Sequence, residues 1–84
     1  MAVNIDWSDE ARADVRALER PVAMTIFEGL LRYARTGHGD VKALHGEFQG
    51  RFRLRLGDYR VIFSPIGDTL RIYVVKHRRE AYRH

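Results

Sequence analysis

The order of apolar and polar positions divides this chain into a helical first half and a stranded second half. Val3, Ile5 and Trp7 alternate with Asn4 and Asp6, the period of a short strand. Ser8 stands where a helix N-cap belongs. Asp9 and Glu10 follow in the first turn, where the positive end of the helix dipole favours acids. Ala11, Val15 and Leu18 recur at helical spacing and give one narrow apolar stripe. Pro21 suits the first position of a second helix. Val22, Ile26, Phe27, Leu30, Leu31 and Ala34 form the apolar face of that helix, and Gly37 is placed to end it.

Thr36 to Gly50 is rich in glycine and reads as an irregular connection, with Val41 and Leu44 turned inward. Three alternating segments follow. Phe52, Leu54 and Leu56 point one way, and Arg51, Arg53 and Arg55 the other. Gly57-Asp58 is a tight-turn signal. Tyr59, Val61 and Phe63 then oppose Arg60 and Ile62, and Pro65 to Asp68 makes a second turn. In the last segment Leu70, Ile72 and Val74 are expected to face the helices. Arg71, Tyr73 and Val75 are expected on the open face, with His77 near its end. The whole predicts an α+β fold: an N-terminal strand, an antiparallel helical hairpin, then a three-stranded antiparallel meander, with the helices packed on one sheet face.

Composition changes this picture little. Eighty-four residues, 45% hydrophobic and 31% charged, suit one domain over residues 1–84 with one core. With no cysteine, neither a disulfide framework nor a thiolate metal site is available, which fits a reducing cytoplasm. His38 and His45 share no ligand spacing with a carboxylate, so no metal site is expected. No apolar run approaches the ~18 residues of a membrane span. The first residues have neither a basic segment nor a long apolar one, so no secretory leader is expected.

Charge changes it more. Residues 1–50 hold six Lys/Arg against eight Asp/Glu, a balance of −2, whereas residues 51–84 hold nine against three, a balance of +6. With Arg53, Arg55, Arg60 and Arg71 on the open face of adjacent strands, like charges repel across the sheet. A polyanion would relieve that cost, so nucleic acid is the partner class the pattern suggests.

The run Arg53-Leu54-Arg55-Leu56-Gly57-Asp58-Tyr59-Arg60-Val61-Ile62-Phe63, with the ending His77-Arg78-Arg79-Glu80-Ala81-Tyr82, resembles the RelE/ParE superfamily, the toxins of bacterial type II toxin–antitoxin modules. The likeness extends over nearly the whole chain and includes the Leu44-His45-Gly46 connection. It is nearest to the RelE-like branch, whose members are messenger-RNA endonucleases acting in the ribosomal A site. ParE-like members share the fold and poison DNA gyrase instead. Arg53 and Arg55 match the paired basic positions of the RelE pattern, and Arg60 the arginine after the turn tyrosine. Arg78 matches the arginine before the C-terminus, with Arg79 as an alternative for it, and Tyr82 matches the terminal tyrosine.

What the resemblance implies is a ribosome-dependent endonuclease that needs no cofactor. The 2′-hydroxyl attacks the adjacent phosphorus, leaving a 2′,3′-cyclic phosphate and a 5′-hydroxyl. The protein must align the backbone, stabilise phosphoryl charge and manage two protons. Arg60 and Arg78 are the candidates for charge stabilisation, since guanidinium matches phosphate oxygens bidentately. Arg53, Arg55, Arg79 and His77 are candidates for holding substrate, His77 also being able to titrate near neutrality. Tyr82 is a candidate base, or a ring that stacks on a nucleobase. Arginine itself remains protonated near neutrality and moves protons poorly. The resemblance also implies a RelB-like antitoxin as partner, contact with operator DNA only through that complex, and no membrane. A gyrase poison and a non-catalytic RNA-binding relative are the alternatives.

Overall fold

The computed structural model describes residues 4–80. Its elements are β1 (Asn4–Trp7), α1 (Asp9–Arg16), α2 (Arg20–Thr36), β2 (Asp40–Ala43), β3 (Phe52–Leu56), β4 (Tyr59–Ile66) and β5 (Thr69–His77), with a 3-10 turn at Gly46–Phe48. They form one sheet in the order β1-β5-β4-β3-β2, with β1 parallel to β5 and the other pairs antiparallel. The predicted α+β architecture, strand and helical hairpin before a meander, is present. The meander has four strands rather than three, because β2 lies inside the stretch read as irregular. That strand is Asp-Val-Lys-Ala, four residues at the sheet edge with only Val41 half-buried. So short an alternation beside three glycines gives little periodic signal. Val3 lies outside the described residues.

The N-terminal reading of α1 holds in detail. The Ser8 hydroxyl accepts a hydrogen bond from the Ala11 N–H at 3.0 Å, and Asp9 and Glu10 occupy the first turn. The helix ends at Arg16, and Leu18 packs on the core from beyond it. Pro21 sits in the first turn of α2, and Gly37 ends that helix with φ 73°.

The apolar face of α2 is rotated from the expected one. Ala23, Ile26, Gly29, Leu30 and Ala34 are the buried residues, whereas Phe27 is 37% and Leu31 51% exposed. Small residues explain the rotation. A Cβ at Gly29 would lie 2.5 Å from Leu56 Cδ2, so the bare glycine lets the helix sit close on β3. Phe27 is not lost to solvent, since its ring meets Trp7 of β1 edge-on at 5.4 Å. The core itself gathers Ile26, Leu30, Leu54, Val61, Phe63 and Ile72, all essentially fully buried.

Both long hairpins turn on a Gly-Asp pair. Leu56 pairs with Tyr59 around Gly57-Asp58, and Ile66 with Thr69 around Gly67-Asp68. The glycines have φ 61° and 60°, the left-handed first position that a two-residue hairpin asks for. Pro65 and Ile66 therefore belong to β4 rather than to the turn.

A bulge in β5 alters which residues face the core. Ile62 pairs with Val74 but Phe63 pairs with Ile72, so Tyr73 is the extra residue. Beyond it the alternation changes phase. Val75, not Val74, is buried among the core residues, and Val74 lies opposite Ile62 on the open face. His77 pairs with Tyr59 and shares its helix-covered face, with the two rings edge-on at 5.4 Å. Lys76 is brought to the open face in exchange.

Past β1, the outer edge of β5 is closed by α1 rather than by a strand. Ser8 N–H donates to the Ile72 carbonyl at 2.9 Å, and the Ser8 hydroxyl donates to the Tyr73 carbonyl at 2.7 Å. The Val75 N–H donates to Asp14 Oδ2 at 2.9 Å. These bonds satisfy backbone groups that an uncovered edge would offer to another chain.

Candidate functional site

The face of the sheet away from the core carries the charged side chains in registered rows. At the end nearest the Gly57-Asp58 turn, Asp40, Arg55, Arg60 and Lys76 lie directly opposite one another on β2, β3, β4 and β5. The next row is Lys42, Arg53, Ile62 and Val74. Farther along lie Ser64, Arg71 and Asp6, with Tyr73 at the bulge.

Most of these cations have acidic partners. Asp40, on the strand the sequence pattern did not reveal, reaches Arg53 at 3.5 Å and Arg55 at 3.9 Å. Arg71 pairs with Asp6 at 2.6 Å at the far end of the sheet. Lys76 contacts Asp14 at 2.7 Å and Glu10 at 3.3 Å, both from α1. Its hydrogen bond to Asp14 is the main reason its pKa is raised above the ordinary 10.5; partial burial opposes this, and Glu10 adds to the rise. The like-charge repulsion expected across this face is therefore largely relieved by carboxylates. These acids come from β1, α1 and β2, whose places relative to the arginines depend on the sheet order.

Among the described residues the exposed Lys42 and Arg60 have no such partner, and of the two Arg60 is the buried one. It is 7% exposed, and its Nη1 donates to the carbonyls of Gly57 at 2.9 Å and Tyr59 at 3.1 Å. Its Nε is buried with no hydrogen-bond partner, and among the described residues no carboxylate pairs with it. The nearby turn acid, Asp58, instead lies 3.9 Å from Arg78. Hence Arg60 is a cation fixed by the hairpin's own backbone, with no acid paired to it among the described residues. Burying a charge without a counter-ion is costly, and an unmet donor adds to the cost.

The sequence of residues 5–82 matches the family model described as the ParE toxin of the type II toxin–antitoxin system, parDE. The chain belongs to this toxin family, within the RelE/ParE superfamily. No curated protein matches it. Among solved structures, the toxin–antitoxin complex RelBE2 from Mycobacterium tuberculosis is similar at 26% identity and TM-score 0.80, covering 89% of this chain and 90% of that one. The RelB–RelE complex from Methanococcus jannaschii is 20% identical at TM-score 0.73, covering 93% and 95%. The YoeB–YefM complex from Staphylococcus aureus is 20% identical at TM-score 0.75, covering 92% and 98%. The last two likenesses are of fold.

Within this toxin fold, the residues singled out by sequence do not all come together. Arg53, Arg55 and Arg60 share the open face. Arg78 follows the end of β5, more than half exposed, and its N–H donates to the Asp58 carbonyl at 2.7 Å, which ties it beside the same turn. Arg79 is exposed, and its N–H donates to His77 Nδ1 at 3.2 Å. His77 itself is on the opposite face from Arg60, displaced there by the bulge. Tyr82 lies outside the described residues. Lys76, Asp14 and Asp40 were not among the expected site residues. The adjacent apolar pair Val74-Val75, which breaks strict alternation, is a sign of the bulge in the sequence.

Proposed function

We propose that this toxin is a metal-independent messenger-RNA endonuclease that works on the ribosome in the cytoplasm and stops translation. Arg60 carries the reading. A guanidinium held on two carbonyls, with no acid paired to it among the described residues, keeps a positive charge that suits an anion. Phosphate is the anion whose geometry a guanidinium fits best.

In this reading the 2′-hydroxyl attacks phosphorus, the bond to the 5′-oxygen breaks, and a 2′,3′-cyclic phosphate and a 5′-hydroxyl result. Arg60 stabilises the charge that builds on the phosphoryl oxygens, being held in place before the substrate arrives. Arg78 adds a second donor beside the turn, and Arg79 lies next to it. Arg53 and Arg55 hold the RNA backbone by exchanging their contacts with Asp40 for phosphate. Tyr82 takes the remaining role, as base or as stacking ring. His77, on the other face, is left to position Arg79 through its Nδ1. Glu10 and Asp14 keep Lys76 protonated, so Lys76 is no base. The absence of a strong base among the open-face residues is why the ribosome is needed to align the reacting groups. The partner is a RelB-like antitoxin, as in the complexes of similar fold, and operator DNA is met only through that complex.

The second reading is a ParE-like gyrase poison, after the name in the family description, although the similar solved structures are RelE and YoeB toxins and do not favour it. Induction in bacteria followed by mapping of messenger ends separates the two. Codon-phased cuts that vanish in Arg60→Ala support the nuclease. Intact messengers with broken DNA and lost supercoiling would establish the gyrase reading and end the first.

A further inference from the structure

Three features lie apart from Arg60: the exposed Met24, Phe27 and Leu31 on α2, the Lys76–Asp14–Glu10 cluster, and the contact of Arg51 with Tyr73. The third points to a ligand. The Arg51 guanidinium lies 4.0 Å from the centre of the Tyr73 ring, and Phe48 of the 3-10 turn is 5.9 Å from the same guanidinium. Among the described residues the Arg51 guanidinium has no carboxylate partner and lies against the two rings. Tyr73 is the extra residue of the β5 bulge, which re-aims its side chain without disturbing Ile72 or Val75 in the core.

We propose that Arg51 and Tyr73, walled by Phe48, form a stacking subsite for one unpaired base of single-stranded RNA. This rests on RNA being the substrate of the open face. A guanidinium layered on a ring presents flat, polarisable surfaces, and stacking on aromatic and guanidinium planes is how unpaired bases are held. The position suits a strand running along the sheet. Arg55, in the row with Arg60, is four residues from Arg51, about 13 Å at the rise of an extended chain. Half-buried Ile62 and Val74 lie between the two sites. A phosphate held at Arg60 thus leaves a neighbouring nucleotide to reach Tyr73. Any aromatic plane accepts any base, so this subsite orders the strand rather than reading its sequence.

The test uses the purified full chain and a fully 2′-O-methylated RNA oligomer, which lacks the attacking hydroxyl, together with versions carrying one abasic position each. Tyr73→Leu is expected to weaken binding of the intact oligomer by about 5- to 100-fold, the range of one lost base stack. Tyr73→Phe, which keeps the ring, stays within about twofold of the unaltered chain, in line with sequence-tolerant stacking. At one abasic position the unaltered chain and Tyr73→Leu bind alike, because the base that distinguishes them is gone. The proposal is overturned if Tyr73→Leu binds the intact oligomer as the unaltered chain does. It is equally overturned if the loss is the same on every abasic oligomer, or if the unaltered chain does not bind the oligomer. Messenger cleavage in a translating extract is read on the same proteins. Cleavage that is lost in Arg60→Ala but indifferent to Tyr73→Leu would sink the subsite and leave the nuclease reading standing. Gyrase poisoning without cleavage would remove the nuclease reading, and stacking measured on the oligomer would remain as a separate fact.

Discussion

Lys76 and Arg60 are neighbours in register on adjacent strands of one sheet face, yet the fold treats them in opposite ways. Lys76 is held by two carboxylates from α1. Arg60 is held by two carbonyls of its own hairpin and, among the described residues, by no acid. The first arrangement neutralises a charge and fastens a helix to the sheet edge. The second fixes a charge without neutralising it. In the proposed reading this difference, rather than exposure, separates a structural cation from a functional one, because Arg60 is the more buried of the two. What marks it is the kind of partner: carbonyls orient a guanidinium while cancelling little of its charge.

Several substitutions test this contrast. The largest effect is expected at Arg60. Arg60→Ala removes the preset donor, and messenger cleavage in a translating extract should fall by a factor of about 100 to 1,000, the usual loss for one such donor. Lys76→Met should leave most cleavage in place. If the two variants lose cleavage equally, the distinction between the two cations fails.

At Asp14 the expected loss is of stability. Asp14→Ala strips Val75 N–H and Lys76 Nζ of the same carboxylate, at a cost of about 2–3 kcal/mol, as for hydrogen bonds to charged groups. A urea midpoint that does not move would show that α1 is fastened by packing alone.

The pH dependence follows from the same pair. The pKa of Lys76 is raised in the folded state, so its contribution is fully present below the ordinary value of 10.5. It is lost as pH climbs through the raised value. Stability should therefore decline faster above pH 10.5 in the unaltered chain than in Lys76→Met, by thermal midpoints across that range. The smallest effect belongs to Asp6→Ala. Its pair with Arg71 is about half exposed on both sides, and such surface pairs contribute about 0–1 kcal/mol.

Much of the fold was legible because it rests on local rules. Ser8 capped α1, Gly37 closed α2, and two Gly-Asp pairs turned the hairpins where alternation broke. Three features were not. The four residues of β2 are too few to show a period, and their pairing comes from β3 rather than from their own pattern. The buried face of α2 was misjudged because Phe27 and Leu31 outweigh Gly29 in any hydrophobic reading. Close approach to Leu56 selects the glycine instead. The bulge at Tyr73 shifted Val75 inward and sent His77 to the other face, since one extra residue reverses every later position in a strand.

By itself the sequence determined that the second half is cationic, that Arg53, Arg55 and Arg60 share a strand face, and that a helical hairpin covers the other. These follow from residue order and the two-residue period of a strand. Only the tertiary structure decided which cations are neutralised. Asp6, Asp14 and Asp40 are distant in sequence from the residues they pair with, or from the row they join, and only the sheet order β1-β5-β4-β3-β2 brings them there. That order puts Arg60 on the central strand, where among the described residues no acid pairs with it.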